Sequence, residues 1–352
     1  MSNCIISTGY WLPEGAPSPL MKEKPEGVDE AEVISAVADG WAIGIGSVKY
    51  LPLGAGSYHW VMVDEAERSW FVTVDDLGSE SAGGDVREGA RNRLESAFRT
   101  ALVLRRDAGL RFVVAPLPTR AGTMVHLVTP RQAVSIRPMV DGEAGLFGVH
   151  RAQDLPEVVE LLADLHAATA VAAAGAPRTD LSLPGRSGLE EALDALDGPW
   201  PGGPHSEPAR SLLLTHAGYV RELLASMDAL VGRVRSTAAA WVVTHGEPHP
   251  GNLVRSRAGL RLIDWDTVQL APPERDLWMV AAGSADVLRR YTRRTGRTVS
   301  PDALALYDVA WKLKNIAAYV GAFRRPHRVT GDTRRSWQFL SRYLCDRGAA
   351  LP

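Results

Sequence analysis

The spacing of apolar and polar positions divides the chain into a strand-rich first part and a helical remainder. Val33, Ile34, Val37 and Trp41 repeat at helical period over residues 28–42, with Asp29 and Glu30 at the positive end of that helix. Three strand-like runs follow at 48–53, 58–63 and 69–74, separated by a glycine-rich turn and by the polar residues 64–68, a pattern that predicts an antiparallel meander. Residues 87–107 read as a long helix stopped at Gly109, and 112–115 and 133–136 as two more strands. Beyond them the period is helical. One helix is expected over 155–169, with Val158, Leu161, Leu162 and Leu165 on its buried face and His166 as a packing or capping residue. Others are expected over 212–234, around 277–291 and over 303–323, whereas 198–208, GPWPGGPHSEP, cannot continue a helix and reads as a loop. The expected class is α+β, a small antiparallel sheet followed by a mainly helical region.

Composition narrows the function classes. With 352 residues, 45% of them hydrophobic, and a net charge of −2, the chain has ample core for two lobes and no bulk charge to draw a nucleic acid. No apolar run approaches the roughly 18 residues of a membrane span. The start, with Pro13, Glu14 and Pro17, lacks the basic and apolar segments of a signal peptide, and 1–27 reads as an irregular extension. Cys4 and Cys345 stand at opposite ends and suggest no disulfide framework, as expected in a reducing cytoplasm.

Candidate chemistry concentrates in residues 241–278, WVVTHGEPHPGNLVRSRAGLRLIDWDTVQLAPPERDLW. His245, Glu247 and Asn252 lie in a polar loop after the apolar run 241–243, and Asp264 follows the apolar run 260–263, so two strand ends are expected to gather them. A hydroxyl that attacks a terminal phosphate needs a carboxylate to orient it and take its proton, a role Glu247 can fill. The nucleotide's magnesium needs oxygen ligands, which Asn252 and Asp264 can supply, since that ion takes only one or two protein carboxylates. The turn Gly54-Ala55-Gly56-Ser57 either lets backbone amides approach phosphates or is an ordinary hairpin.

His245-Gly246-Glu247 with Asn252 five residues later, then Ile263-Asp264-Trp265, then Glu274-Arg275-Asp276-Leu277, resemble in this order the motifs of the aminoglycoside phosphotransferase family. Residues 22–57 resemble its spectinomycin phosphotransferase branch. The resemblance implies a two-lobe protein-kinase-like fold, with 28–140 as the nucleotide-binding N-lobe and 141–352 as the helical C-lobe carrying the catalytic loop and acceptor site. It implies ATP or GTP as donor, Mg2+, and a small hydroxylated acceptor such as an antibiotic, an aminocyclitol or a nucleoside-like molecule. Glu247 would be the base, with His245 holding the loop; Asn252 and Asp264 would bind the metal and Asp276 brace the loop. Gly54, Gly56 and Ser57 would approach the phosphates, and the connection at Met139 and Val140 would hold the adenine edge.

Two positions depart from the family. Glu247 stands where an Asp is usual, and Thr73 stands in the third strand where relatives carry a phosphate-contacting Lys. By strand order the nearest other cations are Lys49 and Arg137, and Glu88 or Glu95 is the helical acid that would pair with such a lysine. These departures keep a catalytically inactive nucleotide sensor or scaffold open as an alternative, beside a metabolic sugar or amino-alcohol kinase. The basic runs Arg289, Arg290, Arg293, Arg294, Arg297 and Lys312, Lys314, Arg324, Arg325, Arg328 read as solvated helix faces. Trp311, Tyr319, Trp337 and Tyr307 read as core, with Asp308 and these rings as an alternative acceptor surface.

Overall fold

The computed structural model describes residues 23–24, 28–54, 56–78, 84–237 and 241–346. Almost all of the expected 1–27 extension, with Cys4, lies outside these residues. Two compact units divide the chain, 1–148 with 248–267, and 149–247 with 268–352.

In the first unit, α1 (Glu30–Trp41) opens on a capping box in which the Asp29 carboxylate accepts from the Ala31 amide and the Glu32 carboxylate from the Asp29 amide. Strands β1 (Ile45–Leu51), β2 (Ser57–Asp64), β3 (Ser69–Asp76), β4 (His126–Leu127) and β5 (Gln132–Pro138) form an antiparallel sheet of order β1-β2-β3-β5-β4. Its register sorts the side chains cleanly. Trp60 and Met62 of β2, Trp70, Val72 and Val74 of β3, and Val134 and Ile136 of β5 share one face and bury Val33 and Val37 of α1. His59, Thr73, Ser135 and Arg137 fall on the other face because the side-chain period of a strand is two.

After α2 (Gly84–Arg106) the chain turns at Gly109, in the left-handed region at φ 70°. The strand expected over 112–115 does not form: Val113 makes a lone parallel bridge to Leu262. Pro116 and Pro118 follow at once, and neither has an amide to extend a ladder. A second sheet of order β6-β8-β9 joins β6 (Gly142–Ala144), β8 (Leu253–Ser256) and β9 (Gly259–Leu262).

In the second unit, β7 (Val242–Thr244) pairs with β10 (Gln269–Ala271). The helices are α3 (Leu155–Ala167), α4 (Thr169–Ala172), α5 (Arg186–Asp194), α6 (Ser206–Thr215), α7 (Ala217–Ser236), α8 (Glu274–Ala281), α9 (Ala285–Thr295), α10 (Pro301–Arg324) and α11 (Gly331–Cys345). α10 packs on α5, α7, α8 and α11 around Leu189, Val220, Leu313, Ile316 and Leu340.

Three expected boundaries move. The 198–208 loop ends where α6 begins at Ser206, and Pro208 is tolerated because a first-turn residue needs no helical amide partner. The single helix expected over 212–234 is two, broken at His216 (φ −110°, ψ 13°), while the apolar period runs on because both halves pack on one core. The helix expected around 277–291 breaks at Ala282 and Gly283, both at positive φ. Among the described residues no helix is long and apolar enough to cross a membrane.

Candidate functional site

The second unit contributes the loop that follows β7. Asp276, the third residue of α8 and fully buried, accepts the amide of His245 on Oδ2 (3.0 Å) and that of Gly246 on Oδ1 (2.6 Å). His166 of α3 meets Asp276 Oδ2 through Nε2 at 3.1 Å and Tyr291 through Nδ1 at 2.8 Å. With an ionised carboxylate the consistent assignment is that Nε2–H donates to Asp276 and the Tyr291 hydroxyl donates to Nδ1. Burial pushes the Tyr291 hydroxyl well above the ordinary tyrosine value, so it keeps its proton. His166 is therefore more than packing, though nothing near residue 166 could announce a partner so far along the chain.

The loop itself is tightly specified. His245 is fully buried and its Nδ1 accepts the Glu247 amide at 3.2 Å. Gly246 has φ 102°, and a Cβ there would run into the Arg275 guanidinium, whose Nη1 donates to Thr244 Oγ1 at 2.9 Å. Gly246→Ala is expected to cost about 1–3 kcal/mol from the disallowed backbone alone, read as a lowered denaturant midpoint at unchanged slope. A midpoint equal to wild type would show that the loop relaxes freely.

Glu247 extends from this loop, and its Oε1 lies 2.7 Å from Lys314 Nζ on α10. Lys314 in turn stands 5.2 Å from the centre of the Trp311 ring, whose Nε1 donates to Tyr343. Lys314, Arg290 and Arg294 stay solvent-accessible, as a solvated helix face requires, although Arg290 and Arg294 pair with Glu160 and Asp164 of α3; the expectation fails for Lys312, which is buried beside Asp308. The sequence signal for Lys314 is slight, a Trp three residues earlier on the same helix face. These half-exposed pairs add about 1 kcal/mol at most to stability. The value of the Lys314 contact lies in where it holds the carboxylate.

The first unit holds the other two polar candidates. Asn252 ends a single 3-10 turn, Pro250–Asn252, and is nearly buried. Its amide donates to the His249 carbonyl (2.9 Å) and its carbonyl accepts the Ile263 amide (3.0 Å), so Asn252 and Asp264 are brought to adjoining ends of β8 and β9. Asp264 has φ 68°, a left-handed conformation that is uncommon for a non-glycine residue and characteristic of constrained sites. Both side chains offer oxygen. Among the described residues no group of three or more His, Cys, Asp or Glu side chains forms a metal cage, so a cation held by this pair would take its remaining ligands from phosphate and water, as magnesium does.

On the sheet, Gly54 and Gly56 flank the turn before β2 at φ 70° and 128°, where side chains are disfavoured. The Ser57 hydroxyl donates to Asp75 Oδ1 at 2.5 Å, and the Met139 amide donates to the Ser69 carbonyl at 3.0 Å. Val140 follows Met139 in the link between β5 and β6. Thr73 Oγ1 accepts from Arg137 Nη2 (2.9 Å) and is 3.1 Å from His59 Nδ1. Neither acid proposed on α2 reaches Thr73: Glu88 is exposed, and Glu95 accepts the Met124 amide and pairs with Arg99. Lys49 is exposed on β1, two strands away.

Residues 48–312 match the family model described as phosphotransferase enzyme family, APH. Protein StrN of Streptomyces griseus is 29% identical over 275 residues, covering 75% of this chain and 82% of StrN. Among solved structures, spectinomycin phosphotransferase APH(9)-Ia in complex with ADP and spectinomycin aligns with a TM-score of 0.68 at 14% identity, over 92% of this chain and 96% of that one. A microcompartment-associated aminopropanol kinase aligns with a TM-score of 0.60 at 15% identity, over 91% of this chain and 99% of that one. The fold is thus that of the kinase-like phosphotransferases, with an antiparallel-sheet N-terminal part and a mostly helical C-terminal part, as the sequence motifs imply.

Proposed function

Because the chain belongs to the phosphotransferase enzyme family APH, we propose that it transfers the terminal phosphate of ATP or GTP to a hydroxyl of a small antibiotic or similar natural product, giving resistance by O-phosphorylation. The observation that carries this reading is the double acceptance of the His245 and Gly246 amides by Asp276, which fixes the backbone from which Glu247 projects. A general base has to be held within hydrogen-bond reach of the proton it takes, and a buried two-point tether provides such constancy. Glu247 orients the acceptor hydroxyl and removes its proton as the oxygen attacks the phosphorus. Lys314 limits the rotamers of Glu247, which compensates for the added methylene relative to Asp.

Asn252 and Asp264 would hold a magnesium ion, which supplies charge neutralisation on the phosphate oxygens when bound. The left-handed backbone at Asp264 sets the direction of its carboxylate. The amides of Gly54, Gly56 and Ser57 receive phosphate oxygens, and the backbone at Met139 and Val140 holds the base edge. A lysine, rather than surplus carboxylate, beside Glu247 favours a neutral or weakly charged acceptor over a polycation.

Incubation with magnesium, ATP or GTP and a panel of aminocyclitols, nucleosides and neutral glycosylated antibiotics tests the proposal, with mass spectrometry seeking the gain of one phosphoryl group. A product formed by wild type and absent with Glu247→Ala is the expected result; nucleotide binding with no product from any acceptor would favour a sensor. Asp264→Asn is expected to weaken magnesium-dependent nucleotide binding by about tenfold or more, as loss of a charged ligand should. Calorimetry showing equal affinity would remove Asp264 from the metal set.

A further inference from the structure

The polar face of the five-stranded sheet carries a buried guanidinium that makes no ion pair among the described residues, Asp75 lying further along the same face of β3. Arg137 on β5 is 5% exposed, and among the described residues its contacts are one hydrogen bond to Thr73 Oγ1 and the Phe71 ring, 4.9 Å away. Neither partner is an anion. Guanidinium keeps its proton at any ordinary pH, so burial leaves a full positive charge incompletely compensated. The next residue on the same face of β5, Ser135, is 1% exposed, and its hydroxyl has no hydrogen-bond partner among the described residues. Ser135 is the direct cross-strand neighbour of Thr73, so the two unsatisfied groups lie side by side on one face.

A buried cation with an adjacent unused hydroxyl matches a tetrahedral oxyanion, which supplies charge and several acceptor oxygens at once. The glycine turn reaches the same place. Gly54 lies against His59, whose Nδ1 meets Thr73 Oγ1.

We propose that Arg137 is the cation that receives the phosphate oxygens of the nucleotide in this chain, aimed by Thr73 and assisted by the Ser135 hydroxyl. The cation thereby sits on β5 and reaches across to the β3 position that Thr73 fills. This assignment rests on the phosphotransferase reading above. Arg137 offers a planar fork that can bind two oxygens of one phosphate, which a lysine ammonium cannot do.

The test measures ADP and adenosine binding to the full chain by calorimetry, for wild type, Arg137→Gln, Arg137→Lys and the double variant Arg137→Gln with Thr73→Lys. Arg137→Gln is expected to lose ADP affinity by about ten- to a hundredfold while adenosine affinity holds, as removal of a charge-assisted contact predicts. Arg137→Lys should lose less, and Thr73→Lys should restore ADP affinity to the Gln variant by putting the charge back on β3. Equal losses for ADP and adenosine, or no loss for either, would overturn the proposal and leave Arg137 a structural residue. Should Arg137→Gln not fold, Arg137→Lys decides the matter through the same ratio of ADP to adenosine affinity. Wild type that binds neither ligand would instead overturn the kinase reading from which the proposal starts.

Discussion

Alanine in place of Glu247 is expected to lower turnover by about 10²–10⁴-fold while nucleotide affinity stays near wild type, because general-base catalysis acts on the chemical step. The comparison needs both numbers. A fall in turnover with unchanged nucleotide binding identifies a group used in the transition state, whereas parallel losses would mean that the loop had moved. The Lys314 ammonium loses its partner in this variant, but its side chain is 45% exposed and water replaces the carboxylate. Stability should therefore change little. Turnover within a factor of a few of wild type would remove Glu247 as the base.

Asp276→Ala is expected to have the largest effect on stability, about 3–5 kcal/mol, because it removes a fully buried acceptor shared by three donors in a dry interior. Two loop amides and the His166 ring all point at the lost carboxylate. Burial by itself raises the Asp276 carboxyl, yet the hydrogen bond from His166 and the nearby charge of Arg275 outweigh it and hold the group below the ordinary carboxylate value. A carboxylate whose folded value is depressed stabilises fully above its unfolded value, near 4, and loses that contribution as pH falls through the folded value. The melting-temperature gap between wild type and Asp276→Asn is thus expected to be full at neutral pH and to close on acidification below about pH 4. A gap that stays constant through that range would mean that Asp276 is not held as an anion.

Much of this was legible in the sequence because it is local. The helical period of 28–42, the three strand runs and the ordered motifs from His245 to Asp276 each span a few residues, and the fold they imply is the fold observed. What was illegible is tertiary. His166 and Lys314 carry their roles through partners 110 and 67 residues away, and no local pattern reports such a pairing; Arg137 was a candidate by strand order, but its bond to Thr73, 64 residues away, was not to be read there. The helix breaks at His216 and Ala282 were hidden for a different reason, since a continuous apolar period records which side faces the core and is blind to a change of axis. The lost strand at 112–115 shows the reverse. Its residues suit a strand, but the two prolines that follow deny it a ladder.

The second sheet of the first unit has a consequence for how the chain is made. β6 ends at Ala144, and its only sheet partner among the described residues, β8, begins at Leu253, so about a hundred residues must be synthesised in between, roughly 5–20 s of translation. During that interval the five-stranded sheet and α1 can fold as they emerge, while β6 waits as an unpaired edge. Gly142 and Gly145, which later accept the close approach of Arg255 and Pro250, keep that edge short and slow to recruit a wrong partner. The nascent chain therefore completes its first unit only after about half of the second has been made, and a nonsense mutation anywhere between 149 and 247 would release an N-terminal part that cannot finish folding.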